Sequence, residues 1–114
     1  QAGRIDPAAT RENLQAIIDK ATEAYPDVRI LLAGMQLPPN LGPDYTEAFR
    51  AIYPALAETN DHVTLIPFVL EGVGGVDRLM QSDGIHPTAE GQRIVAQHVG
   101  TYLHPILASL RREI

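Results

Sequence analysis

Apolar positions along the chain fall into alternating helical and strand patterns. Asp6-Pro7 predicts a helix start, because the Asp carboxylate can accept from free backbone N–H groups and proline suits the first helical position. Leu14, Ile17, Ile18, Ala21 and Tyr25 then recur at helical spacing on one face, with charges opposite, and Pro26 ends the run. VRILLAG at 28–34 is nearly continuous in apolar, branched side chains, the pattern of a strand buried on both faces. Gly34 opens an irregular loop, MQLPPNLGPDY, with three prolines and a glycine. A second amphipathic helix is expected from near Asp44, using Ala48, Phe49, Ile52 and Leu56, and Pro54 should kink or restart it.

HVTLIPF at 62–68 predicts a second strand, shortened by Pro67. EGVGGVDRLM reads as a glycine-rich loop with a short turn of helix at its end. Ala89, Ile94, Val95, Val99, Tyr102 and Leu103 mark a last helix, which Pro105 should interrupt, while Ile106, Leu107 and Leu110 keep the tail partly apolar. Helix, strand, helix, strand, helix is an α/β order, implying a parallel sheet with right-handed crossovers. Two strands fall short of the roughly 4–6 usual in a sheet, and both read as central. The chain therefore looks like half of a domain, with no repeat, low-complexity tract or interdomain linker.

Composition narrows the partners. The chain has 114 residues, 45% hydrophobic and 20% charged, which suits one small domain or part of a larger one. Its net charge is −5, and the nine Lys and Arg are scattered, so it lacks the concentrated basic face that nucleic acid requires. No apolar run approaches the roughly 20 residues that would cross a bilayer. Without cysteine, disulfides and thiolate chemistry are excluded and the redox compartment stays open. A start at QAGRID, lacking Met or a charged-then-apolar leader, reads as a mature or cut product.

The chemistry concentrates in SDGIHPTAEGQ, residues 82–92. Asp83-Gly84 is a turn dipeptide, and Pro87 holds His86 extended while serving as the expected first residue of the last helix. His86 then sits at a helix entrance, whose positive end discourages protonation. Asp83 can offset this by accepting from Nδ1, selecting the tautomer and stabilising the imidazolium that forms when Nε2 takes a proton. That is the acid–base half of a serine-hydrolase triad, assembled locally. On residue types alone, the alternative is a plain turn whose histidine caps the helix.

The wider pattern goes further. D-G-I-H-P-x-x-x-G leading into an amphipathic helix resembles the final block of the SGNH (GDSL-type) hydrolases. Upstream, MQLPPNLGPDYTEAFRAIYPALAE and then LIPFVLEGV with LMQSDGIHP look like the same region of bacterial arylesterases of the thioesterase/lysophospholipase type. The resemblance covers residues 5–107. It implies a flavodoxin-like three-layer α/β/α fold with a parallel sheet, of which this chain supplies the C-terminal helices and about two strands. It makes residues 1–114 the C-terminal portion of a single domain. It also implies ester hydrolysis through an acyl-serine, with Asp83 and His86 as acid and base and with no metal or organic cofactor. A periplasmic or secreted setting is compatible with it.

The family's nucleophile and oxyanion hole come from G-D-S and G-x-N-D motifs that this sequence does not contain. Its serines are Ser82, on the base's own turn, and Ser109, in the tail; Asn13, Asn40 and Asn60 lack the glycine context. QAGRIDP reads as starting just after the G-x-N-D strand would end. Losing a triad's nucleophile costs on the order of 10⁶-fold in turnover, so this chain alone should be inactive. Its expected partners are a small ester or thioester substrate and either the N-terminal part of the same enzyme or a second copy. The rival expectation is an inactive module that assembles through an open sheet edge.

Among the remaining features, the loop Met35–Gly42 should border the cleft, with Leu37 and Pro38 nearest an acyl group, or be simply a proline-stiffened connection. Gly72, Gly74 and Gly75 lack phosphate-cradle spacing and read as a flexible cleft edge. His62, His98 and His104 are not spaced as metal ligands. Tyr45, Phe49 and Tyr53 read as a packing stripe.

Overall fold

A computed structural model describes residues 6–37 and 41–113, and in it the first helix starts where Asp6 and Pro7 direct it. Asp6 Oδ1 accepts from the Ala8 N–H at 3.0 Å, and α1 runs over Pro7–Ala24. β1 (Ile30–Ala33), α2 (Pro43–Thr59), β2 (Val63–Ile66) and α3 (Ala89–Glu113) follow, with a 3-10 turn at Asp77–Leu79 closing the glycine-rich loop as expected. The chain divides into two compact units, Gln1–Pro67 and Phe68–Ile114.

In the first unit β1 and β2 pair in parallel, with Ile30 opposite Val63 and Leu32 opposite Leu65. Side chains alternate across a strand, so these four residues share one face and pack with Ile18 of α1 and Ile52, Tyr53 and Leu56 of α2. Phe49 and Tyr53 meet edge to face at 5.8 Å, so those two members of the expected aromatic stripe pack as predicted. Burial raises the Tyr53 phenol above its ordinary pKa. A reciprocal amide pair between Gln15 and Asn60, at 2.8 and 2.9 Å, ties α1 to the end of α2. Asn60 also donates to the Leu56 carbonyl and so satisfies an acceptor of the last helical turn.

Three expectations need correction. The strands are buried only in part on their second face: Ile66 is buried there, but Ala33 and Thr64 are exposed and Leu31 is half-buried. Among the described residues each strand has one neighbour, and the apolar run of β1 exceeds what that arrangement covers. Ile17 and Tyr25 are also exposed rather than on the core face of α1. Pro105 does not interrupt its helix, and α2 runs through Pro54 without restarting. Each proline removes one N–H, but the carbonyls it would have bonded belong to Arg50 and Thr101. All four residues are exposed, so water can serve those acceptors.

The second unit has its own small core. Val73, Leu79 and Met80 are buried, with Val76, Ile94 and Val95 against them. His98 of α3 bonds the Phe68 carbonyl through Nε2 at 3.1 Å and meets Tyr102 edge to face. Among the described residues no helix is long and apolar enough to cross a membrane.

Leu56 is 1% exposed and Ile17 is 63% exposed. Leu56→Ala should destabilise the protein by about 2–5 kcal/mol, and Ile17→Ala by about 0.5 kcal/mol or less. Urea denaturation followed by circular dichroism measures both; equal midpoint shifts would contradict this core.

Candidate active site

The segment 79–92 of the second unit folds on itself before α3 begins. Met80 and Pro87 form an antiparallel bridge, flanked by Gln81 N–H donating to the His86 carbonyl (2.7 Å) and Thr88 N–H donating to the Leu79 carbonyl (2.8 Å). In such a ladder, pairs that exchange backbone hydrogen bonds alternate with pairs that do not. Met80–Pro87 is a pair of the second kind, so the N–H that proline lacks is not needed there. Within the loop, Gly84 N–H donates to the Gln81 carbonyl at 2.9 Å, and Gly84 takes φ 69°, a left-handed conformation that glycine adopts without steric cost.

α3 begins at Ala89, so Pro87 is not its first residue, as the sequence suggested. Thr88 is the cap instead: its hydroxyl accepts from Gly91 N–H at 3.2 Å and its carbonyl from Gln92 N–H at 2.8 Å. His86 therefore lies outside the cap, and the helix dipole, which fades within a turn, has less hold on it than expected. The glycine of D-G-I-H-P-x-x-x-G has a steric explanation. A Cβ on Gly91 would sit 2.2 Å from the Leu79 carbonyl oxygen, so only glycine lets α3 start this close to the ladder.

Asp83 is the acceptor around which the loop turns. Its Oδ1 takes the Ile85 N–H (2.9 Å) and the His86 N–H (3.0 Å), while Oδ2 meets His86 Nδ1 at 2.6 Å. These bonds hold the carboxyl well below its ordinary 3.8, at about 2, the imidazole bond contributing most and the two backbone bonds next. Near neutral pH Asp83 is then ionised and can only accept, so Nδ1 must carry the proton of a neutral His86. The lone pair is left on Nε2. That atom has no hydrogen-bond partner among the described residues, and the His86 side chain is 68% exposed. The arrangement can take a proton at Nε2 and stabilise the resulting cation.

The other expected site residues are placed less decisively. Leu37 is half-buried in the loop after β1, lining an open depression with Gln36, Thr46, Glu47 and Arg50. Pro38 lies outside the described residues. Ser82 directly precedes Asp83 in the loop and is exposed, whereas a nucleophile must reach Nε2, the nitrogen that does not face Asp83. Ser109 lies about 30 Å along α3 from its first residue. Among the described residues neither serine hydrogen-bonds Nε2. His62 and His104 are exposed, and among the described residues no group of three His, Asp or Glu could hold a metal. Sequence reasoning passed over Gln81, whose amide donates to the Pro87 carbonyl, and over Thr88. A threonine directly before the helical run was the available sign of the cap.

Residues 1–94 match the family model of the GDSL-like lipase/acylhydrolase family. The chain belongs to that family. It is 45% identical to Esterase TesA of Pseudomonas aeruginosa over 101 residues, covering 89% of this chain and 49% of that protein. With thioesterase 1/protease 1/lysophospholipase L1 of Escherichia coli it shares 41% over 103 residues, 89% of this chain and 47% of the other. The crystal structure of TesA superposes with TM-score 0.80 at 44% identity, over 89% of this chain and 54% of that one. AlinE4, an SGNH-hydrolase family esterase, superposes at 0.64 and 39%, over 90% and 53%. The chain thus spans about half the length of the relatives it matches. Among the described residues, three α-helices and two parallel strands supply part of the α/β fold of these GDSL-type hydrolases, as the resemblance implied.

Because the Asp83 pKa is lowered in the folded protein, its contribution to stability is complete above 3.8 and is lost as pH falls towards about 2. Carbon-13 NMR of the Asp83 carboxyl should give a midpoint near 2, rising towards 3.8 in His86→Ala. A wild-type midpoint at 3.8 would refute the paired geometry.

Proposed function

We propose that this chain is the C-terminal portion of a single GDSL-type hydrolase domain that cleaves carboxylic esters or thioesters with a Ser-His-Asp triad. The observation that carries the reading is the Asp83–His86 contact at 2.6 Å through Nδ1, with no partner for Nε2 among the described residues. A serine outside this chain attacks the substrate carbonyl carbon while His86 Nε2 takes its proton. Asp83 stays ionised, keeps the ring in the Nδ1–H tautomer and offsets the imidazolium charge. When the tetrahedral intermediate collapses, His86 returns the proton to the leaving alcohol or thiol, and an acyl-serine remains. Water then repeats the sequence with His86 again as base, releasing the acid.

The relatives' names, esterase and thioesterase/lysophospholipase, support small aryl, acyl or thioester substrates. Leu37 and Pro38 are proposed to contact the acyl group, as apolar residues of the loop after β1. The scheme needs no metal or organic cofactor, since one imidazole moves both protons. The remaining triad member belongs to the N-terminal part of the same protein. A second reading, an inactive module that self-assembles, is favoured by the two-stranded sheet, whose strands each have one neighbour among the described residues.

Hydrolysis of p-nitrophenyl acetate by the full-length protein separates the two. His86→Ala should cut kcat on the order of 10⁶-fold and Asp83→Asn on the order of 10⁴-fold. Turnover that survives His86→Ala discredits the catalytic assignment. Full-length protein that is inactive and multimeric by mass favours the assembling module.

A further inference from the structure

Gln81 grips the Asp83–His86 loop at three points. Its carbonyl accepts from Gly84 N–H at 2.9 Å, its N–H donates to the His86 carbonyl at 2.7 Å, and its side-chain Nε2 donates to the Pro87 carbonyl at 3.2 Å. The first two bonds are backbone bonds that any residue could make. The third depends on the side chain. Met80–Pro87 is the pair that exchanges no ladder bond, and the first bond of α3 is accepted by Thr88, so neither the ladder nor the helix uses the Pro87 carbonyl. The Gln81 amide supplies its donor. Asp83 fixes His86 from the N-terminal side through the His86 N–H and the ring, and Gln81 fixes it from the C-terminal side through two successive carbonyls.

We propose that the Gln81 side chain is a positioning residue for the hydrolysis, pinning the Pro87 carbonyl so that the His86 ring stays against Asp83. Its catalytic consequence rests on the function proposed above. An imidazole displaced by a fraction of an ångström from its acceptor loses both tautomer control and aim, and misplacements of about 1 Å can cost on the order of 10²-fold in rate. One neutral hydrogen bond is worth about 0.5–1.5 kcal/mol, so the effect of losing the amide should be graded.

The test uses Gln81→Met, which keeps length without a donor, and Gln81→Lys, which keeps an N–H donor, in the full-length protein. In Gln81→Met, kcat for p-nitrophenyl acetate should fall about 3–10-fold with KM unchanged. Its Asp83 carboxyl midpoint should rise from about 2 towards 3.8. Gln81→Lys should restore kcat; it is scored on rate alone, because its charge acts on Asp83 directly. Gln81→Met with wild-type kcat and midpoint overturns the proposal, as does a lower kcat with an unmoved midpoint. If His86→Ala stays active, the hydrolase reading fails, and the Asp83 midpoint in Gln81→Met still decides whether the clamp exists.

Discussion

The loop that bears the candidate chemistry depends on one carboxylate. Asp83 spends one oxygen on two backbone N–H groups and the other on the imidazole. The same charge therefore shapes the turn and fixes the ring it presents. Because the Asp83 side chain is 41% exposed, burial does not create this arrangement; hydrogen bonding does, and the lowered pKa follows from it. Keeping the carboxyl ionised keeps three donors satisfied at once. Protonation would weaken the turn and release the ring together.

Around that carboxylate the supports differ in kind. The ladder across Met80–Pro87 closes the loop, the Thr88 cap sets where α3 begins, and Gly91 lets the helix approach Leu79. Beneath them Val73, Leu79 and Met80 form an apolar base with Ile94 and Val95. Arg78 and Glu90 also meet across the loop at 2.7 Å, but both are exposed, and such pairs contribute about 0–1 kcal/mol. Packing and backbone bonds do most of the holding, and the surface ion pair adds little.

How legible each feature was depends on the range of the interactions behind it. The Asp6 cap, the stop at Pro26 and the short strands follow from neighbours in sequence, and all were readable. Asp83 and His86 were readable for the same reason: three residues apart, they meet through one turn. Pro105 misled because the rule about proline in helices is local, whereas the cost of the lost bond depends on whether the freed carbonyl reaches water. The burial of VRILLAG misled because it depends on how many strands flank it. Gln81 and Gly91 act across the ladder, on Pro87 and Leu79, and no periodicity announces such contacts.

That difference in range also explains how one short segment can display the acid–base pair proposed for a triad. The Asp83–His86 contact and the ring tautomer it selects are both set between Leu79 and Gln92, over a core that belongs to the same unit. The attacking oxygen is a separate problem. In the proposed reaction it must approach Nε2 from the side away from Asp83, and Ser109 lies far along α3 from that loop. A base built locally can keep its geometry whichever residue later shares its proton. The nucleophile has no such independence, since its placement requires long-range packing to bring a distant segment to within about 3 Å of one nitrogen.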